Sequence, residues 1–188
     1  FPYTTLFRSL DMGCGDMVWM ARFLQTRDDK EYTGMDIVPT LINKHKATYK
    51  QFSWKFIHHD IVKGRLDDTY DLVLCRMMLQ HLKNYDVMKV LNYISKIGSK
   101  YLFMTTFSGQ SDNIELPDTV VRFRRINLEL PPYSLVPPIC TMKDGHVNLG
   151  THHYLSLWGL PIKQVVKCNK IIHRPLGAGF RMFFNTCA

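Results

Sequence analysis

No two cysteines in this chain stand at C-x-x-C spacing. The five present, Cys14, Cys75, Cys140, Cys168 and Cys187, are scattered and odd in number. That pattern excludes a zinc knuckle and a paired disulfide framework, and it leaves free thiols in a reducing, cytoplasmic compartment as the simplest reading. No apolar run approaches the roughly 18 residues that a membrane span needs. The adjacent pairs His58–His59 and His152–His153 make no metal site, because neighbouring side chains on a strand point to opposite faces. Internal repeats and low-complexity tracts are also missing. What remains is the composition of an ordinary folded domain, 188 residues that are 46% apolar and 21% charged. A chain of that length buries roughly 70% of its unfolded surface in one domain.

The net charge is +8. Basic residues gather at Arg122, Arg124 and Arg125, and again at Lys163, Lys167, Lys170, His173 and Arg174. Such a surface can attract RNA or another polyanion. No nucleic-acid motif accompanies it, so a solvated basic face is favoured.

The densest signal lies in Leu10-Asp11-Met12-Gly13-Cys14-Gly15-Asp16-Met17-Val18. It reads as a strand end, a glycine turn and the first turn of a helix with Met17, Met20, Ala21 and Leu24 at helical spacing. Glycines there permit positive φ or close approach to bare main chain, and the helix start exposes free N–H groups. The dinucleotide fingerprint G-x-G-x-x-G/A fails at Val18, and no Tyr-x-x-x-Lys pair accompanies strand five, which argues against a nicotinamide-dependent oxidoreductase. Asp36 ends the next strand about 20 residues on, where a carboxylate reaches ribose hydroxyls in a β-α-β nucleoside site.

The remaining pattern alternates. A helix runs to about Thr26, a second from Pro39 to about Tyr49, and a third from Asn84 to Ile97 with Val87, Val90, Leu91 and Ile94 on one face, ended by Gly98. Strands are predicted at Ser53–His58, Asp71–Cys75 and Lys100–Thr106. This alternation implies an α/β, Rossmann-like, doubly wound and mostly parallel sheet, with ligands at the carboxyl ends of the strands. Prolines 117, 131, 132, 137 and 138 exclude long helices over 108–137, which reads as an extended excursion over the strand tips. Ile139–Met142 and Tyr154–Leu160 read as two antiparallel strands. In the tail from Pro161 to Ala188, Val165-Val166 and Ile171-Ile172 are the candidates for added edge structure.

The D-x-G-x-G turn, Asp36 and His59-Asp60-Ile61 together resemble the class I S-adenosylmethionine-dependent methyltransferases. Further stretches recur in the same order in a small group of these proteins: residues 32–39, Asp71-Leu72-Val73-Leu74-Cys75-Arg76, Leu79-Gln80-His81-Leu82, residues 100–107, residues 127–133 and Leu155-Ser156-Leu157-Trp158. The resemblance covers roughly residues 10–160 and implies the family's seven-stranded sheet, S-adenosylmethionine as cofactor and an unidentified methyl acceptor (small molecule, glycan or RNA). Cofactor contacts would come from Asp11, Gly13, Cys14, Gly15, Asp36, Ile37, Asp60, Ile61 and Cys75. His81 would be the base, since its ordinary pKa lies near neutrality. Arg76, Arg124 and Tyr133 would face the acceptor, although Arg76 can equally pair with a carboxylate. The chain departs from the pattern at Met17, where the third glycine is expected and where a side chain would crowd the methionine part of the cofactor, and at Met77, where an acidic residue is expected. These departures keep a non-catalytic cofactor- or RNA-binding module as the alternative. Leu130-Pro131-Pro132-Tyr133 is not the Pro-Pro-Tyr motif of adenine-amino methyltransferases, because it follows strand five and lacks the preceding amide or acid. Phe1–Ser9 resembles the conceptual translation of a sequencing adapter, which makes 1–9 a non-native segment ahead of an N-terminally truncated domain.

Overall fold

A computed structural model of the chain describes residues 7–26, 30–64, 66–117, 123–144 and 153–164. Seven strands form one sheet: β1 (Phe7–Met12), β2 (Lys30–Asp36), β3 (Lys55–His58), β4 (Leu72–Cys75), β5 (Tyr101–Phe107), β6 (Cys140–Lys143) and β7 (His153–Gly159). Their order is β3-β2-β1-β4-β5-β7-β6. The first five are parallel, and β7 runs antiparallel to both β5 and β6. The order reverses at β1, so the crevice beside β1 and β4 is the place where such a sheet takes a ligand. Phe7, Arg8 and Ser9 occupy strand positions in β1, opposite Lys30, Glu31 and Tyr32. The edge structure considered for Val165-Val166 and Ile171-Ile172 lies outside the described residues.

Strand alternation divides the core in two. On one face Leu10, Met12, Val73, Cys75, Leu102 and Met104 pack against Val87, Val90, Leu91 and Ile94 of α3 (Asn84–Lys96). On the other, Tyr32, Leu74 and Leu155 pack against Met20, Ala21 and Leu24 of α1 (Val18–Gln25) and Ile42 of α2 (Pro39–Thr48). Proline at the first position of α2 suits the missing intrahelical donor there. No helix among the described residues is long and apolar enough to cross a membrane.

Between β5 and β6 the described chain is irregular, as its prolines demand. Rather than lying loosely over the strand tips, it joins the core: Ile126, Leu128, Tyr133 and Leu135 are almost wholly buried on the α3 face. The Phe107 N–H donates to the Ile126 carbonyl at 2.8 Å and the Leu128 N–H to Thr106 Oγ1 at 3.0 Å, so the segment continues along β5. Arg124 and Tyr133 fasten it. The buried Arg124 guanidinium donates to the Ile114 carbonyl, the Leu82 carbonyl and the Tyr133 hydroxyl, and that hydroxyl donates to Asn84 Oδ1 at 2.6 Å. Tyr133→Phe would leave the buried Arg124 guanidinium and the half-buried Asn84 amide each short of a hydrogen bond. We expect it to cost about 1–3 kcal/mol, measured as a lower urea midpoint at unchanged slope; an unaltered midpoint would show that the network does not hold the segment.

Candidate functional site

Where β1 ends, the Gly13 and Cys14 N–H groups both donate to the Met35 carbonyl, at 2.8 and 2.9 Å, which bolts the glycine turn to the end of β2. Gly13 has φ 81°, and a Cβ there would lie 2.9 Å from Met78 Cγ, so a bare main chain lets the turn pass that side chain. Asp36 completes the junction. Its Oδ2 accepts the Gly15 N–H at 3.1 Å and its Oδ1 accepts the Val38 N–H at 3.0 Å, at the start of α2.

Beside this junction opens a cavity of about 320 Å³, within the size range of small-molecule sites. Its floor is apolar, formed by Met12, Met35, Val62 and Met78 at the ends of the strands and in the loops beyond them. Gly13, Asp36, Ile37, Asp60 and Ile61 border it on one side, and Arg76, Met77 and His81 border it on the other. The Asp60 carboxylate accepts the Val62 N–H at 3.1 Å and pairs with Lys63 at 3.6 Å, which shapes the loop after β3. His59, also on the wall, is turned by a hydrogen bond from Nε2 to the Gly64 carbonyl at 2.9 Å. Met77 has φ 56° and gives its N–H to Thr105 Oγ1, so the chain leaves β4 through a left-handed residue directly onto the cavity. His81 is exposed at the end of the single turn Leu79–His81, its ring 5.6 Å from that of Phe123.

Six sequence-predicted residues stand off this cavity. Asp11 is one step along the strand from Met12 and so faces the α1 side, where it is 4% exposed. Its Oδ2 accepts the Tyr32 hydroxyl at 2.9 Å. Burial raises its pKa to about 6, against the opposing pull of that hydrogen bond and the Arg76 charge. Cys14 and Cys75 are core residues on opposite faces of the sheet, and burial pushes both thiols up to about 12, so they are neutral and inert. Gly15 meets the cavity only through Asp36. Arg124 and Tyr133, expected to face the acceptor, direct their polar groups into the network described above. Arg76 does line the cavity, but its guanidinium is committed: Nε and Nη2 donate to the two carboxylate oxygens of Asp144 at 2.8 and 2.9 Å, and the group lies over the Trp19 ring at 5.5 Å. Burial would raise the Asp144 pKa, yet Arg76 and His153 outweigh it and hold the carboxyl below its ordinary value.

Met17 also departs from expectation. It adopts φ 63°, the conformation that suits a third glycine, but its side chain is fully buried on the α1 face, with Sδ 3.0 Å from the Tyr32 hydroxyl, rather than crowding the cavity. Gly34 makes this arrangement possible: a Cβ there would lie 3.0 Å from the Tyr32 hydroxyl and 3.1 Å from Phe56. A glycine inside a strand is the sequence signal for such an approach. Met12, Met35 and Met78 carried no signal beyond their place at or after strand ends.

The raised pKa of Asp11 has a pH consequence. Its folded value of about 6 lies above the ordinary value of 3.8, so its contribution to stability is full below the unfolded pKa and is lost as pH rises through the folded one. Asn at this position keeps an acceptor for Tyr32 and carries no charge. Asp11→Asn should therefore gain on the unsubstituted protein between pH 4 and 7.5 by about 2 kcal/mol, read from urea unfolding at each pH; a difference that stays flat would contradict the buried-carboxyl account.

Residues 10–98 match a family model described as a methyltransferase domain. The malonyl-(acyl-carrier protein) O-methyltransferase of Bacillus cytotoxicus is 22% identical over 157 residues, covering 79% of this chain and 55% of the relative, so the chain spans about half that relative's length. The N-methyltransferase NodS from Bradyrhizobium japonicum, solved in complex with S-adenosyl-l-homocysteine, superposes with a TM-score of 0.62 at 12% identity, over 82% of this chain and 78% of that one. The Burkholderia thailandensis 1,6-didemethyltoxoflavin-N1-methyltransferase, solved with 1,6-didemethyltoxoflavin and S-adenosylhomocysteine, superposes with a TM-score of 0.63 at 15% identity, over 81% and 70%. The strand order β3-β2-β1-β4-β5-β7-β6, the D-x-G-x-G turn at the switch point and the methyltransferase-domain match over residues 10–98 make the chain similar in fold and in its N-terminal half to the class I S-adenosylmethionine-dependent methyltransferases.

Proposed function

We propose that this protein transfers a methyl group from S-adenosylmethionine to a small-molecule acceptor, and that the cavity beside the glycine turn holds the cofactor. The observation that carries this reading is the convergence of Gly13, Asp36, Asp60 and Ile61 on one cavity, at the carboxyl ends of β1, β2 and β3. The residues present fit the group. Each Asp36 oxygen accepts one backbone N–H and retains a lone pair for a ribose hydroxyl. The methionine-lined floor suits a purine, and Gly13 offers bare main chain.

The cofactor supplies a methyl already activated as a sulfonium, so the protein's task is to position the acceptor and to exclude water. Where the acceptor must lose a proton, His81 is the cavity residue suited to take it. Phe123 stands against His81, and we assign its segment to the acceptor side. With Arg76 neutralised by Asp144, the acceptor need not be an anion. The net charge of +8 is compatible with a polyanionic acceptor, but the Burkholderia thailandensis enzyme is named for a small molecule, 1,6-didemethyltoxoflavin, and we adopt that class. We place the protein in the cytoplasm, consistent with free thiols at Cys14, Cys75 and Cys140. One observation favours a cofactor-binding module without turnover instead: Arg76, Arg124 and Tyr133, the three residues expected to face the acceptor, are spent on internal contacts.

Calorimetric titration with S-adenosylhomocysteine tests the reading, with NAD as control. We expect micromolar binding of the first ligand alone, weakened at least tenfold, or about 1.4 kcal/mol, by Asp36→Ala. Folded protein that takes up no S-adenosylhomocysteine would overturn the proposal.

A further inference from the structure

His45 lies outside the cavity and outside every motif that marked the site. It sits on α2, 3% exposed, with its ring 5.3 Å from that of Phe56 and 5.9 Å from that of Tyr49. Its Nε2 is 2.7 Å from the Gly15 carbonyl oxygen. A carbonyl only accepts, so Nε2 carries the hydrogen and donates. On the other side of the same residue, the Gly15 N–H donates to Asp36 Oδ2 at 3.1 Å.

These two bonds hold the two peptide planes that flank the Gly15 Cα. Planar peptides leave only φ and ψ free between them, and glycine is the residue for which those two dihedrals are least restricted. Gly15 is held at φ 56°. With the carbonyl fixed by an imidazole wedged between aromatic rings, the preceding N–H stays aimed at Asp36, and the carboxylate stays turned toward the cavity that it borders. Releasing the carbonyl lets the peptide swing and removes one of the two backbone donors that orient Asp36.

We infer that His45 is a positioning residue for the cofactor: through the Gly15 main chain it presets the Asp36 carboxylate for the ribose, without touching the ligand. The inference rests on the cofactor assignment proposed above, and the measurements separate the two. His45→Phe retains a ring of similar size among Phe56 and Tyr49 and lacks the donor. His45→Gln places an amide nitrogen at about the reach of Nε2 and restores it.

The expected result is a loss of at least tenfold in S-adenosylhomocysteine affinity for His45→Phe, faster amide exchange at Gly15 before any ligand is added, and recovery to within about threefold of the original affinity in His45→Gln. A merely structural histidine would lower the unfolding midpoint in both variants and leave the affinity of the folded fraction alone. Equal affinity in His45→Phe and the unsubstituted protein overturns the inference while leaving the cofactor assignment intact. Failure of the unsubstituted protein to bind overturns both. If His45→Phe does not fold, imidazole nitrogen shifts in the unsubstituted protein decide: the Nε2–H tautomer is required, and an Nδ1–H tautomer overturns the inference.

Discussion

The carboxylate of Asp36 is the joint on which the site depends. It ends β2, and it takes one backbone donor from the glycine turn after β1 and one from the start of α2. The glycine turn, 21 residues away in sequence, is tied to the β2–α2 junction by a single side chain whose two oxygens accept two different N–H groups. Hydrogen bonds to a carboxylate are stronger than those to a neutral acceptor. The Met35 carbonyl, one residue earlier, receives two more N–H groups from the same turn. The glycine turn therefore takes its shape from the end of β2 as much as from its own glycines.

Much of this was legible in the sequence because it follows from period and punctuation. The apolar stripe of α3, the proline at the start of α2, the glycine after Ile97 and the two late strands are local signals, and the elements form within a residue or two of where those signals place them. The mostly parallel sheet, with its ligand crevice at the carboxyl ends of the strands, followed from the alternation of strand and helix. The carboxylates at strand ends were visible as residue types in position, and Asp36, Asp60 and their neighbours Ile37 and Ile61 share one cavity.

The rest was hidden for physical reasons. A motif gives spacing along the chain but not the side of the pleat. Asp11 and Met12 are adjacent, and only Met12 meets the cavity; Cys75 and Arg76 divide in the same way between core and cavity wall. Long-range partners leave no mark on local sequence. Nothing near Arg76 announces Asp144, 68 residues away, nothing near Arg124 announces the Leu82 carbonyl, and nothing near Tyr133 announces Asn84. The irregular stretch after β5 looked like a cover for the site because prolines forbid helix, but its apolar residues were already the signature of a segment that packs. Met17 combines both difficulties: its backbone does what a glycine would do, while its side chain serves the opposite face.

The two strands that end the sheet, β3 and β6, are each only four residues long, and both carry a lysine at a terminus. A sheet edge is otherwise a row of unpaired donors and acceptors open to any extended chain that drifts past. Here such a chain would find a ladder too short to hold it and a charge at the end of each. The architecture that concentrates its chemistry in the middle of the sheet thus leaves at its margins only short, lysine-ended ladders, which disfavour edge-to-edge pairing with another extended chain.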